Sequence, residues 1–315
     1  MIDLFIQPHH ARTHAQAQAD LTLRVAGALQ ITKADTVQSV TARLTALRSA
    51  HPGPLFHLNA AKFFLDGGFE NRTAALLQPY ADATGGNAGL MFEPDQIRDL
   101  FTTLDAQRFQ IHVHCIGDAA THAALDGFAA ARAVNVVWPS LHQIAHVQLV
   151  DPGDLKRFAE LGVMATMQPY RASTEPVIPD DTMAMIGPDR APMTYPLRSL
   201  IAAGAPWGLN SDWPVTTLKP FAIIGTAMTR EPARHRGRAA PFLPDQRLTV
   251  AEAVLGYTTG AAAACWRGHF TGRLSPGYSA DLIVLDRDIL ACDPHEIAET
   301  QVLATLFAGQ TVQQA

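Results

Sequence analysis

Cysteine is scarce in this sequence, and long apolar runs are missing from it. Only Cys115, Cys265 and Cys292 occur in 315 residues, an odd number with no C-x-x-C spacing. That excludes a disulfide framework and a cysteine-rich zinc site. No apolar run approaches the ~18 residues of a membrane-spanning helix. The opening Met1-Ile-Asp-Leu-Phe-Ile-Gln-Pro8 lacks the basic n-region of a secretory signal. Basic residues are outnumbered as well: 24 Lys and Arg against 29 Asp and Glu leave a net charge of −5, with no long basic run. Nucleic acid and anionic membrane surfaces are therefore not expected partners, and the cytoplasm is the expected location.

The chain that remains is an alternation of strand-like and helix-like stretches. The first twenty residues, rich in Ala and Gln with His9, His10 and His14, are expected to form a helix. From Leu21 short strands alternate with helices whose apolar residues recur at spacings of three and four, as in Asp35–Ser49 (Val37, Val40, Leu44, Leu47) and Pro94–Gln107 (Ile97, Leu100, Phe101, Leu104). Strands are expected at Leu21–Gly27, Ala60–Gly68, Phe109–Gly117, Leu141–Leu149, Val163–Gln168 and Pro206–Pro214. Six strands joined in this way imply a parallel sheet. No glycine-rich phosphate fingerprint follows the first of them, which argues against a dinucleotide fold. Residues 170–196, rich in Pro, Met and Asp, are expected to form a loop or lid. After a helix over Thr249–Cys265, the apolar run before Asp286 and a hairpin over Val302–Val312 suggest a small separate β layer.

The chemistry-bearing residues sit at strand ends. In Phe109-Gln-Ile-His112-Val-His114-Cys115-Ile-Gly117-Asp118, strand alternation puts His112 and His114 on one face and Ile111, Val113 and Cys115 on the other. On this stretch alone the two imidazoles are as consistent with a ligand pair as with hydrogen-bonded core histidines. Asp118 closes this same stretch, and Asp66, His146, Gln168 and Asp212 close other strands, the distribution of a barrel enzyme whose site lies at its C-terminal face. Lys62, His114, His146 and Asp212 would meet there, and two imidazoles with a carboxylate suit zinc or a similar divalent ion. The lysine fits such a site as a carbamate; otherwise it is a salt-bridged core residue.

These stretches resemble the amidohydrolase superfamily, in particular its N-substituted formamide deformylase-like branch, often called amidohydrolase family 3. The resemblance is carried by Lys62-Phe-Phe-Leu-Asp66-Gly67 with Arg72-Thr-Ala-Ala-Leu, His112-Val-His114-Cys-Ile-Gly117-Asp118, His146-Val-Gln148-Leu-Val and Ser211-Asp212-Trp213-Pro214-Val215. Thr258-Thr-Gly-Ala-Ala-Ala and Gly272-Arg-Leu-Ser-Pro-Gly-Tyr-Ser-Ala-Asp281-Leu-Ile-Val-Leu extend it. It implies an α/β fold, a partial TIM-like (β/α) barrel of about strands three to eight over residues 1–270. Residues 271–315 would then belong to a companion β-sandwich.

The resemblance also implies a metal-dependent hydrolase of carbon–nitrogen bonds in a small amide or formamide, acting through a metal-bound hydroxide. One or two divalent ions, zinc foremost, would be held by a carboxylated Lys62, His114, His146 and Asp212, with Asp212 as the catalytic proton carrier. Arg72, His112, Asp118, Gln148 and Trp213 would contact the ligands or the substrate. Two departures stand out. Ala145 occupies the place where members usually carry a glutamate, and no strand bears the Asp-x-His-x-His pattern that supplies two further ligands. We therefore expect an N-terminally truncated member whose open sheet edges leave room for a homo-oligomer. The alternative is a non-catalytic remnant with at most one metal, surviving as a structural or assembly partner.

Overall fold

The computed structural model describes residues 1–6, 8–16, 20–82, 85–173, 180–233 and 236–314. Seven parallel strands in the order β1-β2-β3-β4-β5-β6-β7 curl into a partial barrel, followed by a three-stranded antiparallel sheet. The barrel strands are β1 (Ile2–Ile6), β2 (Val25–Gln30), β3 (Phe56–Phe64), β4 (Gln110–Cys115), β5 (Gln143–His146), β6 (Met164–Met167) and β7 (Trp207–Leu209). Helices α1 (Pro8–Gln16), α2 (Val37–Ala50), α3 (Pro94–Ala106), α4 (Asp118–Val134) and α5 (Leu155–Leu161) connect the first six. Between β6 and β7 come α6 (Asp180–Ile186) and α7 (Leu197–Ala202), and α8 (Pro220–Thr229), α9 (Val250–Leu255) and α10 (Ala261–Ala264) follow β7.

The N-terminus corrects the expectation drawn from it. Ile2–Ile6 is a strand, not part of a helix, so the sheet has seven strands where six were expected. The β-branched and aromatic run favours a strand, and Pro8 ends it by opening α1 as its first residue. The first expected strand is displaced to Val25–Gln30. Residues 170–196 are less loop-like than expected: α6 and a 3-10 turn at Ala191–Met193 lie there, while residues 174–179 are outside the described ones. The helix expected over Thr249–Cys265 is interrupted by a π turn at Gly256–Gly260. A Cβ on Gly260 would stand 2.5 Å from the Trp207 carbonyl oxygen, so glycine lets this turn lie directly on β7.

Strand alternation sets the layers. Phe63, Ile111 and Val113 face outward under α3 and α4 and are fully buried. Phe63 packs edge-on to Phe101 (5.2 Å between centroids), and Phe101 packs on Phe128 (4.8 Å). Each buried ring of this kind contributes roughly 2 kcal/mol. The helices begin and end where local chemistry dictates. Thr36 and Ser39 form a reciprocal cap on α2, Pro94 opens α3, and Gly162 takes the left-handed conformation that ends α5.

The second sheet consists of β8 (Leu282–Leu285), β9 (Val302–Phe307) and β10 (Gln310–Gln314), in the order β10-β9-β8. Arg24, just before β2, ties it to the barrel by pairing with Asp281, donating to Ser279 Oγ (3.1 Å) and stacking over Phe307 (4.4 Å).

Candidate metal centre

The inward faces of β3 and β4 bring three of the singled-out residues together. Lys62 lies level with His112 and Phe64 with His114 in the parallel register. Lys62 Nζ donates to His112 Nδ1 at 3.1 Å and lies 4.7 Å from the centre of the Phe64 ring. Lys62 is 1 % exposed, and burial brings its pKa down to about 7, against the attraction of Cys115 and Asp212. His112 is thus a partner of Lys62. Cys115 is fully buried on the opposite face, as expected.

His146 reaches the same place by a different route. In register it stands level with Cys115, and strand alternation alone would send it outward. Its backbone is instead left-handed (φ 76°), as is that of Val147 (φ 43°), and its ring meets His114 edge-on with centroids 4.3 Å apart. Among the described residues, the buried His146 Nδ1 has no hydrogen-bond partner. Burial depresses its pKa well below the ordinary value, aided by repulsion from His114 and Lys62. Burial, with repulsion from Lys62 and Arg171, brings His114 down to about 4, against its hydrogen bond to Gly67.

The neutral His114 ring must donate from Nε2 to Gly67 O (2.9 Å), which leaves Nδ1 as its acceptor atom. Gly67 is required there, because a Cβ would stand 2.0 Å from Thr73 Oγ1. Ala145, at the place where the resemblance leads one to expect a glutamate, lies level with His114.

Asp66, placed at a strand end by the sequence but given no role, organises this rim. It is fully buried and accepts from the backbone amides of Ile116 (3.0 Å), Gly117 (2.8 Å) and Ala75 (3.0 Å). Its carboxylate also lies 3.7 Å from His114 Nε2. Burial raises its pKa to about 7, against the lowering effect of those amides. A Cβ on Gly117 would stand 1.9 Å from Ala75 O, so the β3 and β4 exits can approach only through glycine.

Asp212 leaves β7 with a left-handed backbone (φ 57°), its amide held by Asn210 Oδ1 at 3.1 Å. Burial raises its pKa, while Arg171 and Lys62 oppose that shift. Arg171, which sequence reasoning missed, ends the 3-10 turn Pro169–Arg171 that leaves β6. Its Nη2 pairs with Glu70 Oε1 at 2.9 Å.

The other singled-out residues have partners of their own or stand in solvent. Arg72 pairs with Asp82 and stacks on Tyr80 (5.2 Å). Asp118 Oδ1 accepts from the amides of Leu77 (2.9 Å) and Ala119 (3.0 Å), fixing a loop to the start of α4. Gln148 is buried, and its carbonyl accepts from the Tyr195 amide at 2.7 Å. Trp213 is 60 % exposed. At the N-terminus His14 Nε2 donates to Asp3 Oδ2 (2.9 Å) and the ring stacks on Phe56, while the His9 side chain lies outside the described residues.

The donor set suits a divalent cation. Lys62, His114 and His146 are neighbours that burial keeps from protonating readily, and His146 Nδ1 and His114 Nδ1 are available lone pairs. Three carboxylate or imidazole ligands do not converge among the described residues, so a cation here would rely on the lysine as well.

Comparison with known proteins fits this architecture. Residues 10–313 match the amidohydrolase family. The chain is 30 % identical to Protein LONG AFTER FAR-RED 3 of Arabidopsis thaliana over 81 % of its length, and 29 % identical to N-substituted formamide deformylase of Arthrobacter pascens over 69 %. It spans 42 % and 39 % of those relatives, less than half of each. A solved structure of an uncharacterized metal-dependent hydrolase from Pyrococcus furiosus superposes with a TM-score of 0.76 at 25 % identity, covering 92 % of this chain and 56 % of that one. With the match running through nearly every strand and helix described, the chain belongs to the amidohydrolase family.

Proposed function

We propose that this chain carries the metal-binding mouth of a hydrolase that cleaves carbon–nitrogen bonds in small amides of the N-substituted formamide type. The observation that carries this is the convergence of His114 and His146, rings 4.3 Å apart, with the buried Lys62 at the C-terminal mouth of the sheet. Lys62, His114, His146 and Asp212 would hold one or two divalent ions, zinc being the best fit to imidazole and oxygen donors. A bound ion would polarise the amide carbonyl and acidify water.

The protein supplies the rest. His112 holds Lys62 in place, and the lowered pKa of that amine favours the neutral form that takes up carbon dioxide as a carbamate. Gly67 O fixes the His114 tautomer. Asp212, raised by burial, would accept a proton from water and pass it from its carboxylate to the departing amine. Residues 1–270 would form the barrel part and residues 271–315 a share of a companion β layer, with the open β1 and β7 edges available to a second copy.

A second reading has its own support. Ala145 stands level with His114 where the resemblance leads one to expect a glutamate, and no three His, Cys, Asp or Glu groups converge among the described residues. Both features suit a remnant with at most one metal. Amine release from an N-substituted formamide by purified protein, with and without chelator, separates the two. Turnover abolished by chelation and restored by zinc supports the hydrolase. Metal binding without turnover supports the remnant, and chelator-resistant turnover contradicts both.

A further inference from the structure

The exit of β6 reaches across the mouth to the exit of β3. Arg171 ends the turn that leaves β6, Glu70 lies on the loop after β3, and their side chains meet at 2.9 Å. In the sheet order β4 and β5 lie between these two strands, so the ion pair spans the exits that carry His114 and His146.

The pair is unequal. Arg171 is 14 % exposed and Glu70 is 48 % exposed. Among the described residues Glu70 engages only Nη2, and the Arg171 Nε is buried with no partner. Nε and Nη2 together form the edge of a guanidinium that binds a carboxylate with two parallel hydrogen bonds. One half of that edge is taken by a half-exposed side chain and the other half is idle. The buried Tyr195 hydroxyl stands beside the same guanidinium, and the positive field of Arg171 reaches His114, His146 and Asp212.

We propose that Arg171 is a carboxylate-binding point at the mouth, covered by Glu70 in the free protein, and that the amide substrates carry a carboxylate near the scissile bond. The inference rests on the hydrolase reading and names its substrate class. The incoming carboxylate takes Nε and Nη2 together, and Glu70 moves into solvent, which a half-exposed carboxylate does readily.

The test is equilibrium binding by calorimetry, which needs no turnover and so fails separately from the hydrolase reading. The probes are N-formylglycinate and its uncharged counterpart N-formylglycinamide, each titrated into the purified chain. The native protein is expected to bind the anion about tenfold more tightly, as a charge-assisted two-point contact requires. Arg171→Met should erase the difference, and Arg171→Lys should keep only part of it. Glu70→Gln, a change at a half-exposed position that leaves the fold undisturbed, should strengthen anion binding severalfold by removing the competitor. Equal affinities for the two probes in the native protein, or a preference that survives Arg171→Met, would overturn the proposal. So would unchanged anion binding in Glu70→Gln.

Discussion

His142, the residue before β5, and His146, its last residue, are both buried, and they differ in what their ring nitrogens meet. His142 Nδ1 accepts from the Ile111 amide (3.1 Å) and Nε2 donates to Asp105 Oδ1 (2.9 Å). Asp105 is itself completed by Trp138 Nε1 (2.7 Å) and Asn135 Nδ2 (2.8 Å), and Phe128 stacks on the His142 ring (5.0 Å). At the other end His146 Nδ1 has no partner among the described residues, and the neighbours of the ring include an imidazole and an amine that repel its charge. A buried polar group left unpaired costs about 1–3 kcal/mol, so a fold keeps one where something else makes use of it. The base of the barrel spends its histidine on stability, and the mouth holds one available to bind.

That contrast yields predictions of graded size. At the mouth, Asp212→Asn should lower turnover of an N-substituted formamide by about a thousandfold, the scale of a lost proton carrier. Its melting temperature should stay close to that of the native protein, and a large fall in stability would place Asp212 in the framework instead. At the base, His142→Ala should destabilise the protein by about 3 kcal/mol in urea unfolding. It leaves Asp105 and the Ile111 amide short of partners and opens a cavity against Phe128.

His146→Ala should change stability by less than about 1 kcal/mol, because no hydrogen bond at Nδ1 is lost and an unpaired polar atom is removed. A loss as large as that of His142→Ala would erase the distinction between the two ends of β5.

The smallest effect is an electrostatic one remote from both clusters. Arg198, with Thr249, holds the Glu252 carboxyl down at about 2. A depressed carboxyl stabilises the fold fully above its unfolded value and loses that contribution as pH falls toward 2. Both side chains are reached by solvent, so the contribution is about 0.5 kcal/mol. Comparing the acid unfolding of Glu252→Gln with the native protein between pH 5 and 2 should show only this small difference in slope.

Much of the mouth was legible in the sequence because strand alternation and glycine exits are local signals. They set His112 and His114 on one face, Cys115 on the other, Lys62 inside its strand, and His146 and Asp212 at strand ends. What the pattern missed depended on geometry or on distant partners. His146 joins His114 through a left-handed backbone that alternation does not foresee. Asp66 acts through three amides from two separate loops, and Arg171 through a glutamate on another strand's exit. The strand at Ile2–Ile6 was obscured by the Ala- and Gln-rich helix behind it, although its β-branched residues and Pro8 were a usable signal. Arg72 was singled out from a motif, yet its conformation (φ 53°) and its pairing with Asp82 turn it to a neighbouring loop.

The most direct test of the mouth as a metal centre is the metal content of the purified protein after zinc loading and desalting. It should be compared across the native chain, His142→Ala and the double variant His114→Ala/His146→Ala. We predict at least one zinc per chain in the native protein, the same content in folded His142→Ala, and near-complete loss in the double variant with its fold retained. Zinc content unchanged in the double variant, or no zinc in the native protein, would contradict the assignment.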